Sequence, residues 1–436
     1  MKKSKSLFSC LLTFALIVSI FKFNTFSVSA TPASTTKATI GSLDLNSMSS
    51  VDKLDTEGYK WEAETKTLTL DGINIEVTED LPGLIFDDDL NIVLTKDSVN
   101  KITVTGLDIA AALVNINPDP DVISKLTLSG EGSLDISGPT SIDCESLEVK
   151  SGNYTFTSNS EEYTTVIFAE YFNMSGGIVN LNCEIDDAIG LMCYQLTVSG
   201  GELNISLPGG ESTGIYQGGL VNWGMHELGQ IYSVSGGKIS IEMAGGDCTG
   251  IDCFTNFDIS GGDISIISDS VGLSCYTFNM TGGHFISTSL DEESLWYYAL
   301  SSYAGDYYAD YTEYKKYMNL GDKIEIKQGG QICAYQRTED DSENILLYFV
   351  SFTNLAKEYL NWSYDDITEM PRVVELGEKK TVPTPEPEVK PVDNVKPGKT
   401  DPSTNPNTNV VGYEVILLLL SGLLLGALIL KKKACR

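Results

Sequence analysis

The sequence predicts an all-β chain: a parallel β-helix solenoid, right-handed and three-sided. Three observations predict it. A unit of similar length recurs along the middle of the 436 residues. Within each unit apolar residues alternate with a period of two, which is the mark of a strand with one buried face. A Ser-Gly-Gly, or a close variant of it, stands where that alternation changes phase.

The units read "LTLSGEGSLDIS", "LEVKSGNYTFTS", "FNMSGGIVNLNC", "LTVSGGELNISL", "YSVSGGKISIEM", "FDISGGDISIIS" and "FNMTGGHFISTS". Their first glycines are Gly130, Gly152, Gly176, Gly200, Gly236, Gly261 and Gly282, at spacings of 22, 24, 24, 36, 25 and 21. Phe172 and Met174 alternate before one glycine pair, and Val179 and Leu181 after it. Glycine tolerates positive φ, so the chain turns a corner there. A third short strand follows in several units, marked by Leu191 and Cys193, Ile251 and Cys253, Leu273 and Cys275. Three strands with corners make one coil, and each strand pairs with its copy about 4.8 Å away. Helical repeats are excluded, because glycines at these positions would break them. An antiparallel sandwich is the structural alternative, but it does not explain why whole units repeat.

Seven of the nine cysteines lie between the two apolar ends of the chain, an odd number with no CxxC pair. Cys193, Cys253 and Cys275 share one inward slot, so they are expected to stack as small apolar residues.

The chain divides as follows. Residues 1–30 carry lysines, an apolar run from Leu7 to Ile20 and small residues at Val28-Ser29-Ala30. That is a secretory signal peptide, since the run is short for an anchor helix. Residues 31–60 form a lead-in or N-terminal cap, and 61–290 the solenoid repeats, with "GYKWEAETKTLTLDGINIEV" among the opening coils. Residues 291–376 form closing coils and a Tyr-rich cap, with strands expected in "GDKIEIKQGGQICAYQ" and "NILLYFVSF". The segment 377–404 is a Pro-rich spacer, extended at about 3.1 Å per residue. After residues 405–409 comes an apolar run over 410–430, long enough to span a bilayer as a transmembrane helix, and a basic tail over 431–436. The part between the two ends is thereby expected outside the cell.

The whole chain has a formal charge of −31. The exported part is more negative still, because eight of the 29 basic residues but only Glu414 of the 60 acidic ones lie in the two ends. Nucleic acids and anionic lipids need basic patches, so neither is expected as a partner.

The order of spacer, Asn405-Pro406-Asn407-Thr408-Asn409, apolar run and lysine cluster resembles the sorting signal of Gram-positive surface proteins. The pentapeptide is similar to the Asn-Pro-x-Thr-Asn class, with Asn407 at the variable position. The resemblance implies that a sortase attacks the Thr408 carbonyl and passes it to peptidoglycan. A permanent single-pass anchor is the alternative.

The repeats, with "WEAETKTLTLDG" before them, also resemble β-helix surface proteins described as carbohydrate-binding or adhesin-like. The resemblance covers residues 58–290 and implies a non-enzymatic surface protein whose partner is an extracellular polysaccharide or host glycan. Two readings compete with it. One is a polysaccharide lyase or hydrolase of pectate-lyase-like fold, which needs facing carboxylates or a base beside metal ligands. The other is a passive surface scaffold. The longest spacing, Gly200 to Gly236, holds Trp223, His226 and Glu227, a ring for a sugar face and polar groups for hydroxyls. They are the candidate ligand-binding residues. The acidic turns Asp87-Asp88-Asp89 and Asp186-Asp187 carry the oxygen ligands that Ca²⁺ takes, and no other cofactor is expected.

Overall fold

Alternation of apolar and polar residues commits nearly every described segment to strand. The computed structural model describes residues 37–379, except 107–110, 118, 120–121, 162–163, 184, 209, 219–230, 244, 291–298, 303–317, 329–330, 338–344 and 352–372. Among the described residues the chain is all-β, apart from one 3-10 turn at Leu45–Ser47. None of their helices is long and apolar enough to cross a membrane. The expected signal peptide, the spacer from residue 380 onward, the pentapeptide and the apolar run lie outside the described residues.

Most strands pair in parallel with a strand one repeat further along, and they fall into three series. The first runs through Thr67–Leu70, Leu90–Leu94 and Lys125–Gly130 to Ile142–Val149 and beyond. In register it places Leu68, Ile92, Leu128, Val149, Met174, Val198, Val234 and Ile259 in one buried ladder. The second, after the glycines, stacks Ile75, Ile102, Ile136, Phe156, Leu181, Ile205, Ile241 and Ile266. The third stacks Leu43, Leu84, Leu113, Ile142, Ile167, Leu191, Ile215 and Ile251. Each fully buried side chain of this size contributes about 1.5–3 kcal/mol, so the core is a set of like-on-like columns.

The two glycines of each corner do different work. A Cβ on Gly200 would lie 2.4 Å from the Ser175 carbonyl oxygen of the preceding repeat, so this position serves close backbone approach. Gly201 has φ +83°, the left-handed conformation that a side chain resists. One opening corner uses a side chain instead. Asn100 is fully buried, and its Oδ1 accepts from the backbone N–H groups of Gly72 at 2.8 Å and Ile73 at 3.1 Å.

Both ends switch to antiparallel pairing. Val51–Lys53, Tyr59–Glu62 and Thr67–Leu70 form a meander, whose buried Trp61 donates from Nε1 to the Met48 carbonyl at 3.2 Å. Of the expected opening segment, Tyr59–Glu62 is therefore a hairpin arm, while Thr67–Leu70 and Asn74–Val77 pair in parallel as expected. At the other end Val373–Glu378 pairs antiparallel with both His284–Ser289 and Ile324–Gln328. This strand carries the fold through Gly377 and Glu378, past the expected start of the spacer. Gln331–Arg337 and Ile345–Ser351, the other expected strands, pair antiparallel with each other. Antiparallel closure covers edges that would otherwise offer unpaired backbone groups.

Six described cysteines, including Cys193, Cys253 and Cys275, are buried and free of disulfides. Cys253 and Cys275 are register neighbours. Cys193 instead faces Gln217, which interrupts the expected sulfur stack.

Candidate functional site

Period two leaves every second side chain of a series outside the core. On the third series the outward column reads Asp143, Phe168, Met192, Tyr216 and Asp252 in register. Glu145, Glu170, Tyr194 and Phe254 lie outward beside it, next to the inward Cys144, Ala169, Cys193 and Cys253. The result is a half-buried aromatic patch with carboxylates at both ends. Phe168 meets Tyr194 edge to face at 6.2 Å between ring centroids, and Tyr216 meets Phe254 likewise at 5.7 Å. Interlocked rings hold a fixed surface, which a stacking ligand can use without an ordering cost.

Beneath the patch lies a buried polar lock. Gln217 donates from Nε2 to the Tyr194 carbonyl at 3.0 Å and to Thr255 Oγ1 at 2.8 Å. Tyr232, also buried, donates its hydroxyl to the Cys193 carbonyl at 2.9 Å. These bonds fix the backbone on which Met192 and Tyr194 stand.

Two carboxylates of this surface sit where burial opposes their charge. Burial raises the Asp143 carboxyl above its ordinary range. Burial also raises Glu170, and the neighbouring Glu145 charge adds to the effect. Tyr194 is raised as well, by burial first and then by Glu170 and Tyr171.

The outward surface of the first series has another chemistry. Thr127, Glu148, Asn173 and Thr197 form a polar column in register. A groove of about 340 Å³ is lined by Lys125, Glu148, Asn173, Met174, Thr197 and the serines at 175 and 199. Glu148 sits between Lys125 at 3.4 Å and Lys150 at 3.3 Å. Burial opposes ionisation there, but the bonds and charges of the two lysines prevail and hold the carboxyl below its usual value.

Trp223, His226 and Glu227 lie outside the described residues, as does the pentapeptide Asn405–Asn409. The structure therefore places none of them against this surface. The other histidine, His284, is engaged at the C-terminal end, with Nε2 3.1 Å from Glu375. The acidic turns carry structural bonds. Asp89 accepts from the Lys125 backbone at 2.9 Å, Asp88 pairs with Lys66 at 3.4 Å, and Asp187 accepts from the Glu211 backbone at 2.9 Å. Among the described residues no three His, Cys, Asp or Glu side chains are grouped to hold a metal ion.

The aromatic patch escaped the sequence reading. Its signal was present: Phe168, Met192, Tyr194, Tyr216 and Phe254 occupy the phase opposite to the inward ladder, where polar residues are expected.

A family model described as "Carbohydrate-binding domain-containing protein" matches residues 59–292, more than half of the chain. The chain belongs to this carbohydrate-binding domain family. No curated protein and no solved structure matches it. The matched span begins at the hairpin arm Tyr59–Glu62 and ends just past His284–Ser289, so it holds both outer surfaces described above. Family membership supports carbohydrate as the partner. In a carbohydrate-binding domain the aromatic patch offers flat apolar faces, and the first-series groove offers hydrogen-bonding groups without rings.

Proposed function

We propose that this chain is a non-enzymatic cell-surface protein that binds carbohydrate through the outer surface of its third strand series. The observation that carries the reading is the fixed pair of ring contacts, Phe168 with Tyr194 and Tyr216 with Phe254, inside the family-matched span. Rings on successive strands suit a polymer that runs across the strands, since neighbours are spaced about 4.8 Å apart. The three parallel series are the faces of a right-handed, three-sided β-helix, a rigid support for such a surface. The ends of the chain serve display. The leader exports it, the Pro-rich spacer from residue 380 to 404 lifts it from the surface, and a sortase joins Thr408 to peptidoglycan.

A glycan array with the detergent-solubilised full-length chain tests binding. Retention of at least one polysaccharide, reduced by Tyr216→Ala, supports the reading; retention that ignores Tyr216→Ala moves the site elsewhere. Mass spectrometry of muramidase-released protein tests the anchor. A C-terminal peptide ending at Thr408 with a cross-bridge attached is expected, and intact protein still carrying Lys431–Lys433 would refute it.

One observation favours a second reading, a polysaccharide hydrolase. Glu170 is raised by burial and by the Glu145 charge, as the acid of a two-carboxylate pair needs. Shortening of a bound polymer on the same array, abolished by Glu170→Gln, would establish it.

A further inference from the structure

We propose that the carbohydrate taken by the third-series surface is cationic: a polysaccharide whose units carry free amino groups, such as a de-N-acetylated glucosamine polymer. The inference rests on the carbohydrate-binding reading and adds the chemical class of the ligand.

Charge on the chain is the first argument. Between Lys150 and Lys315 the only lysine or arginine is Lys238. That lysine belongs to the second series, in register between Glu202 and Asp263, so its own neighbours are acidic. The third-series strands Ile142–Val149, Thr164–Met174, Ala188–Cys193 and Thr213–Gln217 contain no basic residue at all. Glu148, at the first-series end of one of them, has Lys125 and Lys150, and Glu145 accepts from the Ser124 backbone N–H, but among the described residues no ion pair reaches Asp143 or Glu170, which are left to a counter-charge from elsewhere.

Geometry is the second argument. The carboxylates do not stand apart from the rings. Asp143 is the register neighbour of Phe168, and Tyr216 that of Asp252. The face of an aromatic ring attracts an ammonium group, by about 0.5–1 kcal/mol at exposed sites and more when water is displaced. A ring with a carboxylate one strand away offers both a stacking face for a sugar and two attractions for its amine. A neutral sugar would use the rings alone. An acidic sugar would set its carboxylate against Asp143, Glu145 and Glu170, and like-charge contact opposes binding.

The state of those acids agrees. Asp143 and Glu170 ionise less readily than usual because burial, and for Glu170 the Glu145 charge, oppose it. A bound ammonium group offsets that opposition by favouring the charged carboxylates.

The test is titration calorimetry on the detergent-solubilised full-length chain. The probes are glucosamine and N-acetylglucosamine oligomers of equal length, a galacturonate oligomer with and without Ca²⁺, and spermine. The glucosamine oligomer is expected to bind at least about tenfold more tightly than its N-acetyl counterpart, a difference of about 1.4 kcal/mol. Added salt should narrow that gap, and so should Asp143→Asn with Glu170→Gln. Spermine, a polyamine with no sugar face, should bind more weakly than the glucosamine oligomer. Tyr216→Ala should weaken the oligomer, with Phe254→Leu as the second variant if the first does not fold. Equal or tighter binding of the N-acetyl oligomer, or of galacturonate with or without Ca²⁺, overturns the amine and leaves carbohydrate binding standing. Spermine binding as tightly as the oligomer, with no loss on either ring variant, also overturns it, as bulk attraction of charge. Binding of no glycan overturns both readings.

Discussion

The outer surfaces of the first and third series differ although their strands alternate along the same repeats. On the first, Glu148 lies between Lys125 and Lys150, among threonine, asparagine and serine. On the third, Asp143, Glu145 and Glu170 adjoin a run of rings, and no lysine stands on their strands. Inward, both series carry the same kind of apolar ladder, fully buried. The interior is constrained by stacking, because each inward side chain must fit its copy above and below. The exterior is not, so chemistry can differ from series to series without disturbing the ladders. Function on this fold is therefore argued from the outward phase of each strand, and the repeat that reveals the fold is silent about it.

The largest expected effect breaks both surfaces together. Gly200→Ala puts a Cβ 2.4 Å from the Ser175 carbonyl oxygen, a backbone atom that cannot rotate away. The two repeats must separate there, at a cost of about 3 kcal/mol or more. Urea unfolding should show the loss, and glycan binding should fall with it. A midpoint within error of the parent would mean that the corners are not in close contact.

The next effect separates the two surfaces. Gln217 lies under the aromatic patch and holds the Tyr194 carbonyl and the Thr255 hydroxyl. Gln217→Ala leaves both buried groups without that partner, at about 1–3 kcal/mol. Stability should drop by less than for Gly200→Ala, while Met192 and Tyr194 lose their fixed position. Binding at the third-series surface should weaken in the folded variant. Unchanged affinity in a destabilised protein would assign Gln217 to packing alone and move the binding surface away from Tyr194.

How far the sequence could be read follows from the same division. The inward ladders were legible from Leu196, Val198, Leu203 and Ile205, because burial imposes a strict period. The glycines were legible as corners, but not their separate tasks, since close approach at Gly200 depends on a backbone one coil away. The hairpin at Val51–Glu62 was hidden because an antiparallel arm alternates just as a parallel coil does. Gln217 in the cysteine slot was hidden because its partners, Tyr194 and Thr255, come from the coils before and after it. For the site, the sequence points to Trp223 in the longest spacing, the one tryptophan between Trp61 and Trp296. The rings on the regular strands read as plain alternation, although their phase marks them as outward.

The smallest expected effect sharpens the comparison through pH, where the two surfaces should respond with opposite sign. Asp143 and Glu170 have folded-state values raised above their unfolded ones, by burial and, for Glu170, by Glu145. Such groups favour the folded state below the unfolded value, near pH 4, and lose that contribution as pH rises through the raised folded value. As pH rises, their charged forms are unfavourably placed. Asp143→Asn should therefore raise the melting temperature at pH 7, with the gain shrinking toward pH 4. Glu148 is the reverse case, lowered by Lys150 and Lys125 against its burial. Its contribution is present above the unfolded value of about 4.5 and lost as pH falls through the lower folded value. Glu148→Gln should lower the melting temperature at pH 7, with the loss fading in acid. Because Glu148 is partly exposed and its two lysines about half exposed, solvent screening limits the effect to below about 1 kcal/mol. Melting curves of the two variants between pH 4 and pH 7 decide the matter. If both shift in the same direction at pH 7, the third-series carboxylates have a counter-charge within the fold, and the electrostatic contrast between the surfaces does not exist.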